Sequence, residues 1–102
     1  DSAEASPLWT SEPFQENIAV AVAQNAIVVA GVDRSVKKGE AAYEESYGIA
    51  TLDINNGKVL WRHRLDAGAV HWGVAIDREG RVLVGLQDGR VLCYGPAKRD
   101  SI

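Results

Sequence analysis

Glu44 and Glu45 stand side by side, with Tyr43 and Tyr47 around them and Arg34, Lys37, Lys38 and Glu40 a few residues upstream. His71 and Trp72 form a second polar-aromatic pair. Two carboxylates can share a divalent cation or divide acid and base roles. Sequence neighbours do neither without a third ligand at matching spacing, and none accompanies these. Mixed charge interleaved with aromatic rings suits a different task, holding a peptide, a glycan or a partner domain. The bland alternative is a solvated loop beside a packed tryptophan. No Gly-x-Ser-x-Gly, phosphate loop or His-Glu-x-x-His occurs, so no catalytic residue, cofactor ligand or metal ligand is assigned. The candidate binding surface is Arg34, Lys37, Lys38, Tyr43, Glu44, Tyr47, His71 and Trp72.

The remaining reactive side chains read as structural. Cys93 lies in the apolar run Val91-Leu92-Cys93-Tyr94, where a buried inert thiol is expected. A single cysteine also precludes an internal disulfide and a cysteine-based metal site. His63, in Trp61-Arg62-His63-Arg64-Leu65, reads as a solvated strand residue rather than a ligand.

These groups must be positioned by strands. Helical periodicity is missing, and short Val-, Ile- and Leu-rich runs are broken by Gly, Asn and Asp. Strands are predicted at residues 7–10, 17–23, 26–32, 47–53, 58–65, 72–76, 81–86 and 90–94. Turns fall at Gln24-Asn25, Asn55-Asn56-Gly57, Asp77-Arg78-Glu79-Gly80 and Gln87-Asp88-Gly89, where Asn and Gly tolerate positive φ. Asp53 and Gly57 read as turn chemistry, with the Asp53 carboxylate accepting backbone N–H bonds.

The two halves align. Val20-Ala21-Val22 matches Val74-Ala75-Ile76, and residues 48–52 match residues 90–94. Residues 27–31 match residues 82–85, so that Gly31 meets Gly85. The main departure is a long loop at 33–46. Naming the strands of a unit A to D, the chain reads D, ABCD, ABC. Residues 7–95 hold the two repeats; 1–6 and 96–102 are expected to be flexible tails.

With 102 residues the chain makes one domain. A net charge of −3 without a basic stripe argues against nucleic acid, and no run is long enough for a membrane span. The chain lacks methionine altogether and opens on Asp1, which reads as a processed product or a piece of something longer.

Four-stranded meanders at this period point to a β-propeller. The run Thr51-Leu52-Asp53-Ile54-Asn55-Asn56-Gly57-Lys58-Val59-Leu60-Trp61 resembles the repeat of PQQ-like (pyrroloquinoline quinone) propellers, Ala-Leu-Asp-x-x-Thr-Gly-Lys-x-x-Trp. Leu52, Asp53, Gly57, Lys58 and Trp61 match, and Thr51 and Asn56 replace the Ala and Thr. Pro7-Leu8-Trp9 is a weaker partner one unit upstream. The resemblance implies that Trp61 wedges against the next blade and Trp9 does the same one blade earlier. It implies small innermost residues (Ala19, Ala21, Ala23, Gly73, Ala75) and an exported or periplasmic location. It also raises quinoprotein dehydrogenase activity. Those enzymes hold PQQ with an adjacent cysteine pair, a stacking tryptophan and a Ca²⁺ bound by Glu, Asn and Asp; Cys93 alone cannot form the pair. Many members bind no cofactor and act as scaffolds.

Two blades cannot close a ring. The chain is then the end of a longer propeller, a unit that self-associates, or an eight-stranded barrel or sandwich. The leading expectation is a non-catalytic scaffold for a protein partner or ligand, with no cofactor; the alternative is the terminal blades of a PQQ-dependent dehydrogenase. In a meander the B-to-C and D-to-A connections share one end, which places the 33–46 segment beside His71 and Trp72.

Overall fold

Each apolar run becomes a strand because Val, Ile and Leu on alternate positions present one face to a core while Gly and Asn allow the chain to reverse. A computed structural model describes residues 6–36 and 43–95. The tails at 1–5 and 96–102, with Lys37, Lys38 and Glu40, lie outside the described residues. Among the described residues there is no helix, and hence none long and apolar enough to cross a membrane.

Seven strands follow in order: β1 (Glu16–Val22), β2 (Ala26–Val36), β3 (Tyr43–Asp53), β4 (Val59–Leu65), β5 (Ala69–Ile76), β6 (Val82–Leu86) and β7 (Val91–Tyr94). They form two antiparallel meanders, a four-stranded sheet in the order β1-β2-β3-β4 and a three-stranded sheet in the order β5-β6-β7. The sheets are not closed into a barrel, which removes the eight-stranded barrel.

Three further expectations need correction. Residues 7–10 form no strand; they lie on the four-stranded sheet through side-chain contacts described below. Residues 33–36 and 43–46 are strand rather than loop, because β2 and β3 stay paired from Asp33↔Ser46 out to Val36↔Tyr43, while 37–42 lie outside the described residues. Polar residues concealed this pairing, since Asp33, Arg34, Ser35, Glu44, Glu45 and Ser46 carry no apolar alternation to report it. In sheet register, Ala30 rather than Gly31 holds the place of Gly85: the row Ala19–Ala30–Ile49 corresponds to Gly85–Val91.

The four-stranded sheet has buried residues on both faces, although Val20 and Val22 of β1 stay exposed on one of them. One face carries Ala19, Ala21, Val28, Ala30, Ile49, Thr51, Trp61 and Leu65, as the cross-strand rows Ala21–Val28–Thr51–Trp61 and Ala19–Ala30–Ile49–His63 require. Most of it packs against Val74, Ile76, Val82, Val84, Leu92 and Tyr94 of the three-stranded sheet in one continuous core. β5 runs alongside β1, so the two inner strands neighbour each other. The small side chains of β1 permit this approach. At the outer edge, the Trp61 and Tyr94 rings lie 5.7 Å apart and link β4 to β7.

The other face carries Val20, Val22, Ile27, Val29, Ala50 and Leu52, and Phe14 closes a second core over it. Gly31 and Gly48 are cross-strand partners, and together they make the seat for that ring. A Cβ on Gly31 would stand 2.6 Å from Phe14 Cγ, and one on Gly48 2.8 Å from Phe14 Cε1.

Trp9 takes the end of the same face. Its indole N–H donates to the Ile54 carbonyl at 2.9 Å, and its ring lies where a Cβ on Gly57 would be. Gly57 has φ 76°, a left-handed conformation that suits glycine, so turn geometry and indole packing both call for it. The same turn is held by the Asp53 carboxylate, which accepts the Asn55 N–H at 2.8 Å.

Candidate functional site

The ends of β2 and β6, the starts of β1, β3, β5 and β7 and the β4–β5 link gather at one end of the molecule. Two contacts tie the link down: Gln87 N–H donates to the Gly68 carbonyl at 2.8 Å, and Arg90 bridges Asp66 and Asp88 at 2.6 and 2.7 Å. Hydrogen bonds from Arg90 hold both carboxyls below the usual carboxylate range. The opposite end carries the Gln24-Asn25, Asn55–Gly57 and Asp77–Gly80 turns, with a cleft of about 560 Å³ between the first and the last.

At the gathered end, Arg34 pairs with Glu16 at 2.8 Å and with Glu45 at 3.0 Å. The Tyr47 hydroxyl donates to Glu45 at 2.5 Å. Tyr47 and Arg34 together hold the Glu45 carboxyl low, with the tyrosine bond the larger cause. Gln15 bonds both backbone groups of Arg34, and its own N–H donates to Asp33 at 2.7 Å. Asp33 also takes Arg62 at 3.2 Å, and the Arg62 guanidinium lies 4.5 Å from the Phe14 ring centre. This network stitches the approach to β1 onto the neighbouring strands. Arg34, Glu45 and Tyr47 are brought together, but their polar atoms are committed to one another.

Glu44 is exposed and stands opposite Ser35 on β2, while Tyr43 pairs with Val36 in the backbone. Beside the network, Ser46, Gly48, Arg62 and Arg64 line a shallow cleft of about 280 Å³.

His71 and Trp72 are placed differently. Between the pairs Ala69↔Leu86 and Val74↔Val84, four residues of β5 oppose Gly85 alone. The surplus bulges from the sheet. Trp72 sits in it with φ 64° and is 92% exposed, and His71 is exposed beside it. This indole is therefore not the packed tryptophan of the bland expectation. A left-handed conformation costs a non-glycine residue about 1–2 kcal/mol, so a strained backbone presents a large apolar ring to water. The bulge has no sequence signature beyond Gly73, which stands close to Val70.

Two other expectations about reactive groups can be placed. Cys93 is exposed, not buried, because β7 turns Cys93 outward while Leu92 and Tyr94 face the core. His63 is exposed and stacks on Tyr94 at 5.2 Å between ring centres. Among the described residues, no group of three His, Cys, Asp or Glu could hold a metal ion.

Sequence reasoning missed Phe14, Gln15, Asp33 and Arg62, which organise the gathered end. The only available signal was glycine at both 31 and 48, within apolar strands that have no turn to make. No family model matches the chain, and no curated protein or solved structure matches it.

Proposed function

We propose that the chain is a non-catalytic unit of the PQQ-like β-propeller type, serving as a scaffold that binds a protein partner or ligand at the gathered end. Trp72 carries this reading. An indole 92% exposed and held at positive φ forfeits both burial and backbone comfort. Such strain persists where the surroundings impose it, and it concentrates at functional sites. Tryptophan is also the residue most enriched among binding hot spots. The repeat reading draws support from two stacked meanders and from Trp9 on the Gly57 turn, a contact of the blade-wedge kind.

A photoreactive phenylalanine analogue at position 72, compared with one at Arg78 on the opposite end, tests the site in the native host. A discrete adduct from position 72 alone is expected. Equal labelling from both positions, or none from position 72, removes this reading.

The quinoprotein alternative keeps one supporting observation, since an exposed indole on an inner strand is also a surface on which a flat quinone can stack. The other described residues do not fit the cofactor. The chain's one cysteine lies on the outward side of β7, and no acidic cluster stands near Trp72 among the described residues. Stoichiometric retention of PQQ and Ca²⁺ after dialysis would restore that alternative.

A further inference from the structure

β4 is the last strand of the four-stranded sheet, and among the described residues no strand pairs with its outer edge. An open edge presents a row of backbone N–H and C=O groups that another strand can take up. From Trp61 to Leu65 the pairing with β3 runs without a register shift, and the strand holds no proline. That stretch can therefore carry a second ladder on its other side.

The charge along this edge is largely unanswered. Residues 58–65 carry Lys58, Arg62 and Arg64 and no acidic side chain, in a chain whose net charge is −3. Their partners on β3, residues 47–52, are uncharged. Elsewhere, Arg34 takes Glu16 and Glu45, Arg81 takes Asp77 and Glu79, and Arg90 takes Asp66 and Asp88. Arg62 by contrast meets Asp33 alone, at 3.2 Å, and Arg64 meets no carboxylate among the described residues.

Arg62 and Arg64 stand two residues apart on the face that holds Phe14, and both line the cleft of about 280 Å³. A strand added to β4 sets alternate side chains directly opposite them, with Cβ atoms about 4.5–5.5 Å apart. Opposite charges at such positions attract, and like charges destabilise the pair. At the start of the strand Val59 and Leu60 leave apolar surface, 44% and 54% exposed.

We infer that the outer edge of β4 takes up an extended acidic peptide as an added strand. An antiparallel peptide meets Arg64 first, Arg62 next and the Val59-Leu60 end last, so its pattern is acid-x-acid followed by an apolar residue. Backbone bonds to the edge supply affinity, and the two arginines select the sequence. The surface is a sheet edge and not the Trp72 bulge, so failure here and failure of the Trp72 labelling are separate results.

A fluorescein-labelled peptide, Thr-Glu-Thr-Glu-Thr-Leu-Thr, tests it by fluorescence anisotropy. One control carries Lys for both Glu, and another keeps the acids but has its central backbone nitrogens methylated. The acidic peptide alone is expected to bind, less tightly as salt is added. Arg64→Glu, at an exposed position, should weaken it about three- to tenfold, and Arg64→Gln by less. Circular dichroism checks that both variants keep their sheets. Hydrogen exchange should slow in residues 58–65 and stay unchanged in 90–94. No binding of the acidic peptide overturns the inference and leaves the arginines as guards against edge pairing. Equal binding of either control, indifference to Arg64→Glu in a folded variant, or protection outside 58–65 overturns it as well.

Discussion

Two sheets built from the same repeat live in different surroundings here. The β1–β4 sheet is covered on one side by the β5–β7 sheet and on the other by Phe14 and Trp9. Among the described residues the β5–β7 sheet is covered on one side, and its outward positions include Val91 and Cys93. Gly31 is pressed by the Phe14 ring, whereas the nearest side-chain atom to a Cβ on Gly85 would be Val70 Cγ2 at 3.6 Å. Strand order is therefore independent of what covers each face. The covering segment, not the strands, separates a sheet with two cores from one with half a core.

The largest expected effect breaks that difference directly. Phe14→Ala removes a ring that is 6% exposed and empties the seat over Gly31 and Gly48. A loss of about 3–5 kcal/mol is expected in urea denaturation. Val70→Ala, at a 37% exposed site, should cost under about 1 kcal/mol. Equal losses would show that Phe14 does not anchor the covering segment.

A gentler probe adds a methyl group to each sheet. Gly31→Ala forces the new Cβ against the Glu16 carbonyl and the Phe14 ring, both at 2.6 Å, and should cost about 1–3 kcal/mol. Gly85→Ala has ordinary van der Waals room and should change stability by less than about 0.5 kcal/mol. If the two thermal shifts coincide, the register described for these strands is wrong.

Thr51 and Cys93 occupy equivalent positions, one inside and one outside. Thr51 Oγ1 is buried with no hydrogen-bond partner among the described residues. Thr51→Val keeps the shape and removes the stranded hydroxyl, so a gain of about 1 kcal/mol is expected. A loss would reveal a partner for the hydroxyl.

The smallest effect is the response to acid. Asp66, Asp88, Asp77 and Glu45 are all held below their ordinary pKa values: the first two by Arg90, Asp77 by the backbone N–H of Arg81 ahead of its guanidinium and the Glu79 N–H, and Glu45 by Tyr47 with Arg34. A carboxyl depressed on folding stabilises the fold above its unfolded pKa, near 4. That stabilisation is lost as pH falls through the lower folded value. Melting temperature should be flat from neutral pH to about 5 and decline below about 4. The side chains are exposed, so added salt should shrink the decline. A melting temperature that rises on acidification contradicts these ion pairs.

Much of this architecture was legible. Asn55-Asn56-Gly57 and Gln24-Asn25 located reversals because glycine and asparagine tolerate conformations other residues avoid. The apolar runs between them fixed strand identity, and seven of the predicted strands formed. The strand expected at 7–10 did not form; the segment is held instead by side-chain contacts, the Trp9 ring on the Gly57 turn with its indole N–H on the Ile54 carbonyl, and the Phe14 ring that follows. The pairing of 33–36 with 43–46 escaped notice because Asp33, Arg34, Glu44 and Glu45 carry no apolar alternation. Arg34 and Tyr47 were identified as candidates, yet the Glu45 and Glu16 contacts that occupy them depend on strand register.

Local chemistry by itself determined where the chain extends, where it turns and that successive strands neighbour each other, because backbone preference and side-chain alternation act over a few residues. Tertiary structure alone decided which face of each sheet is covered, that Cys93 and Trp72 meet water, and that Phe14 needs glycine at both 31 and 48. Those outcomes depend on surfaces tens of residues apart meeting, and burial is a property of both surfaces together.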